Sequence, residues 1–281
     1  MVRVCVIALF FLPIFASSQN RPGGKLHSYF TLYCQAEGKL APEYTPFREF
    51  IDKLETRQAT FKSEKAFIHH VFVKAHQRFF GQFQEYSTFS DLVSKGSYNC
   101  LSGTALFTLL LDYFMIDHQI IETNHHIFII AETGEGPVLL ETTDAEKGFI
   151  SDPKAISRRL SVYNTVAREE IRDSDAYHFE YDKTYSDTVT QTGILGLLHY
   201  NHSVEALNRR DFKKAIAHLH HALLLHRSEK LEAYLDVVYH AVLFDRSVQP
   251  EVRNNHLEKL RALRTKKRVH PGSVSMVPLV R

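Results

Sequence analysis

The sequence predicts an α+β fold: a mixed core of helices and an antiparallel hairpin, followed by a purely helical region. Three observations lead there. Gly and Pro are scarce, 12 and 9 in 281 residues, fewer chain breakers than a many-turned all-β protein needs. Apolar residues recur at helical spacing from about residue 45 to 115 and again beyond Gly193. Between these stretches, two apolar runs flank a turn cluster and read as strands.

Residues 1–18, MVRVCVIALFFLPIFASS, come first. Arg3 supplies a positive n-region, Val4 to Phe15 an apolar run, and Ala16-Ser17-Ser18 a small-residue cleavage site before Gln19. That three-part pattern is a secretory signal peptide. The expectation is export, secreted or periplasmic, with cleavage near Ser18-Gln19. No later segment reads as membrane-spanning. Residues 19–43, with Arg21-Pro22-Gly23-Gly24 and Pro42, read as an irregular lead-in.

Thr45-Pro46 then opens a helix, Thr as N-cap and Pro at the first helical position, with Phe47, Phe50, Ile51 and Leu54 as its apolar stripe. A second helix starts near Ser63 and carries Phe67, Ile68, Val71, Phe72, Ala75 and Phe79. A short one runs from Phe89 and ends at Gly96. Residues 99–115, NCLSGTALFTLLLDYFM, are apolar nearly all round, the mark of a buried helix. Ile120-Ile121 and His126-Ile127-Phe128-Ile129-Ile130 are strand-like; Thr133 to Pro137 is a turn, and Val138 to Thr143 a partner strand. Asp152-Pro153 caps a further helix. The polar, Tyr- and Asp-rich stretch 161–190 reads as a linker or extension.

Beyond Gly193, two helices flank Asn208-Arg209-Arg210-Asp211, and two more are expected near 231–244 and 250–263. Asp211-Phe212-x-x-Ala215-Ile216-x-x-Leu219-x-x-Ala222-Leu223 resembles the second half of a tetratricopeptide (TPR) unit. Solenoid units need neighbours, so a TPR-like region at 191–263 has to lean on the preceding domain, 19–160. Residues 264–281 form a basic tail.

Composition narrows the chemistry. Basic and acidic residues balance, 34 against 32, so nothing points to nucleic acid. Three cysteines, Cys5, Cys34 and Cys100, exclude a disulfide scaffold and a four-Cys zinc site. Histidine is abundant, 17 residues, with His218, His220, His221 and His226 close together; no Asp, Glu or Cys completes a metal set there, and a solvated face is expected. No cofactor and no metal are called for.

Cys100 is the residue on which function turns. It begins the buried helix, where unpaired N–H groups and the positive dipole end favour an anion, whether thiolate or oxyanion. A nucleophile needs a base, and the base an orienting acid. His126 begins one hairpin strand, and Glu141 and Asp144 end the other. If the loop is 133–137, His126 faces Asp144; a register shifted by three faces it to Glu141. His125 competes with His126 on the opposite strand face. Gln82 and Gln84 are candidate oxyanion donors. A Cys34–Cys100 disulfide would silence the nucleophile.

Gly96-Ser-Tyr-Asn-Cys100-Leu-Ser-Gly-Thr-Ala-Leu-Phe, His126-Ile-Phe128 and Glu141-Thr-Thr143 together resemble the transglutaminase-like cysteine-protein superfamily, over roughly residues 65–150. The resemblance implies a papain-like core, a Cys-bearing helix packed on an antiparallel sheet, with a Cys-His-Asp triad. It favours His126 over His125, and Glu141 over Asp144 because Thr143 follows. Glu141 stands where the family has Asp, and the chain has no Trp where many members carry one near the His. The implied function is cysteine-dependent acyl transfer on a protein or peptide substrate, as peptidase, amidase or crosslinker, with the TPR-like region open to a protein partner. The rival reading is an inactive transglutaminase-like and TPR-like binding module.

Overall fold

A computed structural model describes residues 22–36, 38, 42–123, 126–165 and 186–265. The expected signal peptide at 1–18, His125, the middle of the 161–190 stretch and the tail beyond 265 lie outside the described residues.

The expected irregular lead-in is instead helix α1, Pro22–Gln35. Leu26, Phe30 and Tyr33 form its buried stripe. Burial decides this element: Phe30 stacks on Phe47 and meets Phe89 edge-on, and Tyr33 also meets Phe89. Helix α2, Thr45–Gln58, buries Phe47, Phe50, Ile51 and Leu54. Its N-cap is Tyr44, with Thr45 inside the helix and no side-chain cap bond. Helix α3, Glu64–Phe79, is capped by Ser63, whose hydroxyl accepts from the Ala66 N–H.

A short parallel pair follows, β1 (Gln82–Phe83) with β2 (Ser97–Tyr98). Between them helix α4, Phe89–Lys95, ends at Gly96, whose φ of +76° is the left-handed conformation that glycine adopts without strain. Helix α5, Cys100–Tyr113, is buried continuously from Leu101 to Leu111, as its all-round apolar sequence predicts.

The sheet has five antiparallel strands in the order β6-β5-β4-β3-β7. They are β3 (His118–Thr123), β4 (Ile127–Ala131), β5 (Val138–Leu140), β6 (Phe149–Ile150) and β7 (Ser186–Val189). Helix α6, Pro153–Thr165, precedes β7. The fold is therefore α+β, as predicted, but the edge strands β6 and β7 carry no readable sequence signal. Two and four residues are too short to show a period. Period-two alternation divides β4 between two layers. Ile127, Ile129 and Ala131 join the main core; Phe128, with Leu139, packs against Ile156 and the Tyr163 ring of α6.

Four helices close the chain: α7 (Gln191–Asn208), α8 (Phe212–Leu225), α9 (Glu229–Phe244) and α10 (Pro250–Thr265). Their apolar faces belong to the same hydrophobic cluster as α1 to α5 and the inner face of the sheet. A few helices cannot bury their faces alone, and here they do so against the mixed core.

Candidate active site

Cys100 is half-buried at the first position of α5. Asn99 caps the helix reciprocally with Ser102: its Oδ1 accepts from the Ser102 N–H at 2.8 Å and its own N–H donates to the Ser102 hydroxyl at 2.9 Å. Its Nδ2 donates to the carbonyls of Glu85 and Ser87. The turn that leads into Cys100 is thus pinned by Ser102, Glu85 and Ser87. Asn before an apolar helix with Ser three residues on is a cap signal present in the sequence.

Gly103, one turn further, lets α5 approach the end of β5. A Cβ there would lie 2.8 Å from Thr142 Oγ1. The Thr142 hydroxyl donates to the Cys100 carbonyl at 3.4 Å. The close approach brings the start of α5 to the residue next to Glu141.

His126 lies just before β4, held by Thr123. Its N–H donates to Thr123 Oγ1 at 3.1 Å, and its carbonyl accepts from the Thr123 N–H at 2.8 Å. The ring lies beside Cys100, which is among the groups that raise its pKa. Its Nε2 donates to Glu141 Oε2. His125 lies outside the described residues.

Glu141, not Asp144, holds the imidazole. Ile129 pairs with Leu140 and Ala131 with Val138, a register that continues to set His126 opposite Thr143. Neither register read from the sequence is the one adopted. Ala131 and Val138 are the last pair before the turn, so the connection spans 132–137, one residue more than the turn cluster 133–137. Carried past Leu140, that register makes Glu141 the diagonal neighbour of His126, and the chain turns at Thr142 and Thr143 before it reaches Asp144. Diagonal neighbours stand well apart, about 7–8 Å between backbones, and need a long side chain. The extra methylene of Glu thus suits the position that Asp holds in the resembled family. Asp144 caps a turn instead, its Oδ1 accepting from the Lys147 N–H at 2.9 Å.

The carboxylate is 3% exposed. Oε1 accepts from the Thr143 N–H and hydroxyl, at 3.1 and 2.6 Å. Oε2 accepts from His126 and from the Tyr163 hydroxyl. Burial works against its charge, and these donors outweigh it: the carboxyl is held down at about 2, its bond to His126 contributing most. Burial likewise opposes a charged His126, yet Cys100 and its bond to Glu141 raise it to about 9. Tyr163 is pushed up by burial and by the Glu141 charge, so it stays a donor. Its ring stands 4.9 Å from those of both His126 and Phe128, tilted to the first and stacked on the second. Tyr163 was not identifiable from the sequence: it lies 22 residues past Glu141, in a stretch with no period to read.

The other sequence candidates divide. Gln82 and Gln84 are exposed. Gln82 pairs with Ser97, and the Gln84 N–H donates to the Tyr98 carbonyl at 2.8 Å, so this strand flanks the turn leading into Cys100. Cys34 is fully buried in α1 and is not disulfide-bonded to Cys100. The histidine cluster is not a solvated face. His218 Nδ1 meets His199 Nδ1 at 3.1 Å, and burial lowers His218 to about 4. His226 Nε2 donates to Glu122 at 2.9 Å. Among the described residues no group of three or more His, Cys, Asp and Glu side chains is arranged to hold a metal ion. Nor is any described helix long and apolar enough to cross a membrane.

A thiol at a helix N-terminus, an imidazole beside it, and a buried carboxylate bonded to that imidazole can generate a nucleophile, shuttle its proton and bind an oxyanion on helix N–H groups. Comparison of the chain with protein-family models, curated proteins and solved structures finds no match.

Proposed function

We propose that the protein is a transglutaminase-like, cysteine-dependent acyl-transfer enzyme, acting as a peptidase or amidase through Cys100, His126 and Glu141. The observation that carries this reading is His126, bonded to the buried Glu141 carboxylate, standing beside Cys100 at the start of α5. The thiol proton passes to His126, and Cys100 Sγ then attacks the acyl carbonyl beside the imidazolium. N–H groups at the start of α5 bind the oxyanion. Collapse expels the amine, which leaves with the proton from His126, and a thioester remains on Cys100. Water then releases an acid; an amine acceptor in its place forms a crosslink. Glu141 keeps the imidazole oriented and stabilises the imidazolium, the role of the third triad member.

Substrates in this reading are proteins or peptides met after export, which the pattern of residues 1–18 supports. The helical pairs from α7 to α10 are a TPR-like surface for a protein partner. Three ordered motifs support the superfamily reading: a Cys-bearing helix start, a His-x-aromatic strand and an acid followed by x-Thr.

Trapping tests it. The protein is incubated with a panel of short peptide amides and hydroxylamine, and products are read by mass spectrometry. Hydroxamates formed by wild type and absent with Cys100→Ala support acyl transfer. A Cys100 that forms no adduct with any peptide, and is alkylated by iodoacetamide no faster than free cysteine, would falsify it.

A further inference from the structure

Three charged or titratable side chains, Glu122 buried and His226 and Lys230 half-buried, meet next to Thr123 but take no part in the triad. Glu122, near the end of β3, is 4% exposed. Its Oε1 accepts from Lys230 Nζ at 2.9 Å and its Oε2 from His226 Nε2 at 2.9 Å. Lys230 belongs to α9 and His226 ends α8. Lys230 also donates to the Thr123 carbonyl at 3.5 Å and lies over the Tyr200 ring, 5.0 Å from its centroid. Burying a charged pair is costly and contributes little net stability, so its position asks for another account.

Thr123 supplies one. It is the residue that grips the His126 backbone through three hydrogen bonds: its N–H and its hydroxyl both donate to the His126 carbonyl, and its Oγ1 accepts from the His126 N–H. A chain of contacts thus runs from α9 through Lys230 to Glu122 and the Thr123 carbonyl, and through Thr123 to the backbone that carries the His126 ring. The other arm is fixed as firmly. A Cβ at Gly196 would lie 2.7 Å from His226 Cβ, and one at Gly193 3.2 Å from its Nδ1, so α7 closes directly on His226.

We infer that Lys230 is a positioning residue for His126, and that the C-terminal helices are thereby part of the catalytic site and not a separable recruiting module. The inference rests on the proposed Cys100–His126 chemistry. A partner that shifts α9 would then act on the reaction through this pair.

The test measures alkylation of Cys100 by iodoacetamide from mild acid to neutrality, on the full chain. A thiol paired with a protonated imidazole keeps reacting in acid, where an isolated thiol does not. Lys230→Met is expected to lose that acid limb, slowing alkylation at about pH 5.5 roughly tenfold or more, since small displacements of a catalytic group cost that much. Lys230→Arg is expected to restore part of it. Lys230→Met with Glu122→Gln leaves no buried charge unpaired, so it remains informative if the single variant does not fold, and the same loss is expected. Ser203→Ala is the structural control. Its hydroxyl donates to Ala215 O and meets Tyr234 Oη, so the change loosens α7 to α9 without touching Glu122; its acid limb is expected to persist. A folded Lys230→Met or double variant that keeps the wild-type profile overturns the inference while the proposed function stands. Absence of the acid limb in wild type overturns both.

Discussion

The Tyr163 hydroxyl donates to Glu141 Oε2, the same oxygen that His126 Nε2 holds. Two donors from different elements, one on α6 and one before β4, thus fix one oxygen of a buried carboxylate. The Tyr163 ring covers the imidazole as its hydroxyl orients the acid.

Tyr163→Phe separates these two roles. The ring contacts with His126 and Phe128 are retained and one donor to Glu141 is lost. A hydrogen bond to a charged group contributes about 1.5–3 kcal/mol, so Cys100 alkylation in mild acid should fall about tenfold, with the fold intact. Tyr163→Ala, which also uncovers the imidazole, should fall further. A Tyr163→Phe rate equal to wild type would show that the hydroxyl contributes nothing, and equal rates for the two variants that the ring adds nothing beyond it.

Glu141→Gln and Asp144→Asn should behave differently. Removing the orienting charge of a triad costs up to about four orders of magnitude in rate, so Glu141→Gln should cut thioester formation at least a hundredfold by the same reasoning. Asp144→Asn keeps an acceptor for the Lys147 N–H and should leave the rate within about twofold, as surface changes usually do. Glu141→Asp is a sharper probe. With the diagonal register, the shorter side chain should fail to reach Nε2 and should resemble Gln more than wild type. Rates are read by hydroxamate formation.

Stability should depend on pH through this pair. His126 is raised from its ordinary 6.5 to about 9. Its contribution is fully present below about 6.5 and is lost as pH rises through about 9. Glu141 is lowered from 4.5 to about 2, so its contribution is present above about 4.5 and is lost as pH falls through about 2. The two shifts describe one ion pair, whose effect is complete between about pH 4.5 and 6.5. Chemical denaturation across this range, wild type against Glu141→Gln, should show a stability difference that shrinks at both ends. A difference independent of pH would refute the coupling.

Gly103→Ala should damage both fold and site. The added methyl meets Thr142 Oγ1 at 2.8 Å, and overpacking of this kind costs about 1–3 kcal/mol. Because α5 carries Cys100, moving it should also slow alkylation. Thr142→Ala in the same chain removes the obstructing hydroxyl and should restore much of the stability, read as the thermal midpoint. Failure of that rescue would assign the obstruction to Phe80, whose Cε1 the methyl also meets at 3.0 Å, and not to the Thr142 hydroxyl.

Much of the site is legible in the sequence for local reasons. Apolar periodicity places the helices; Asn99 ahead of an all-apolar run places Cys100 at a helix start; and β-branched runs around Thr133 to Pro137 place His126 on one side of a hairpin and the acids on the other. Helix caps and turns depend on neighbours a few residues away, so the sequence can state them.

What the tertiary structure alone decided is which of these residues meet. The choice of Glu141 over Asp144 depended on the register of β4 on β5, in which Ala131 pairs with Val138, and on the donors that converge on the Glu141 carboxylate. Helix α1 depended on aromatic partners more than ten residues away. Tyr163 and Lys230 reach the site from elements 22 and 104 residues beyond Glu141 and His126 respectively, along paths that no local period records. Residue types and local elements follow from short-range sterics and burial patterns. The register of a strand and the partner of a buried charge follow from packing between distant segments, and only the folded chain supplies it.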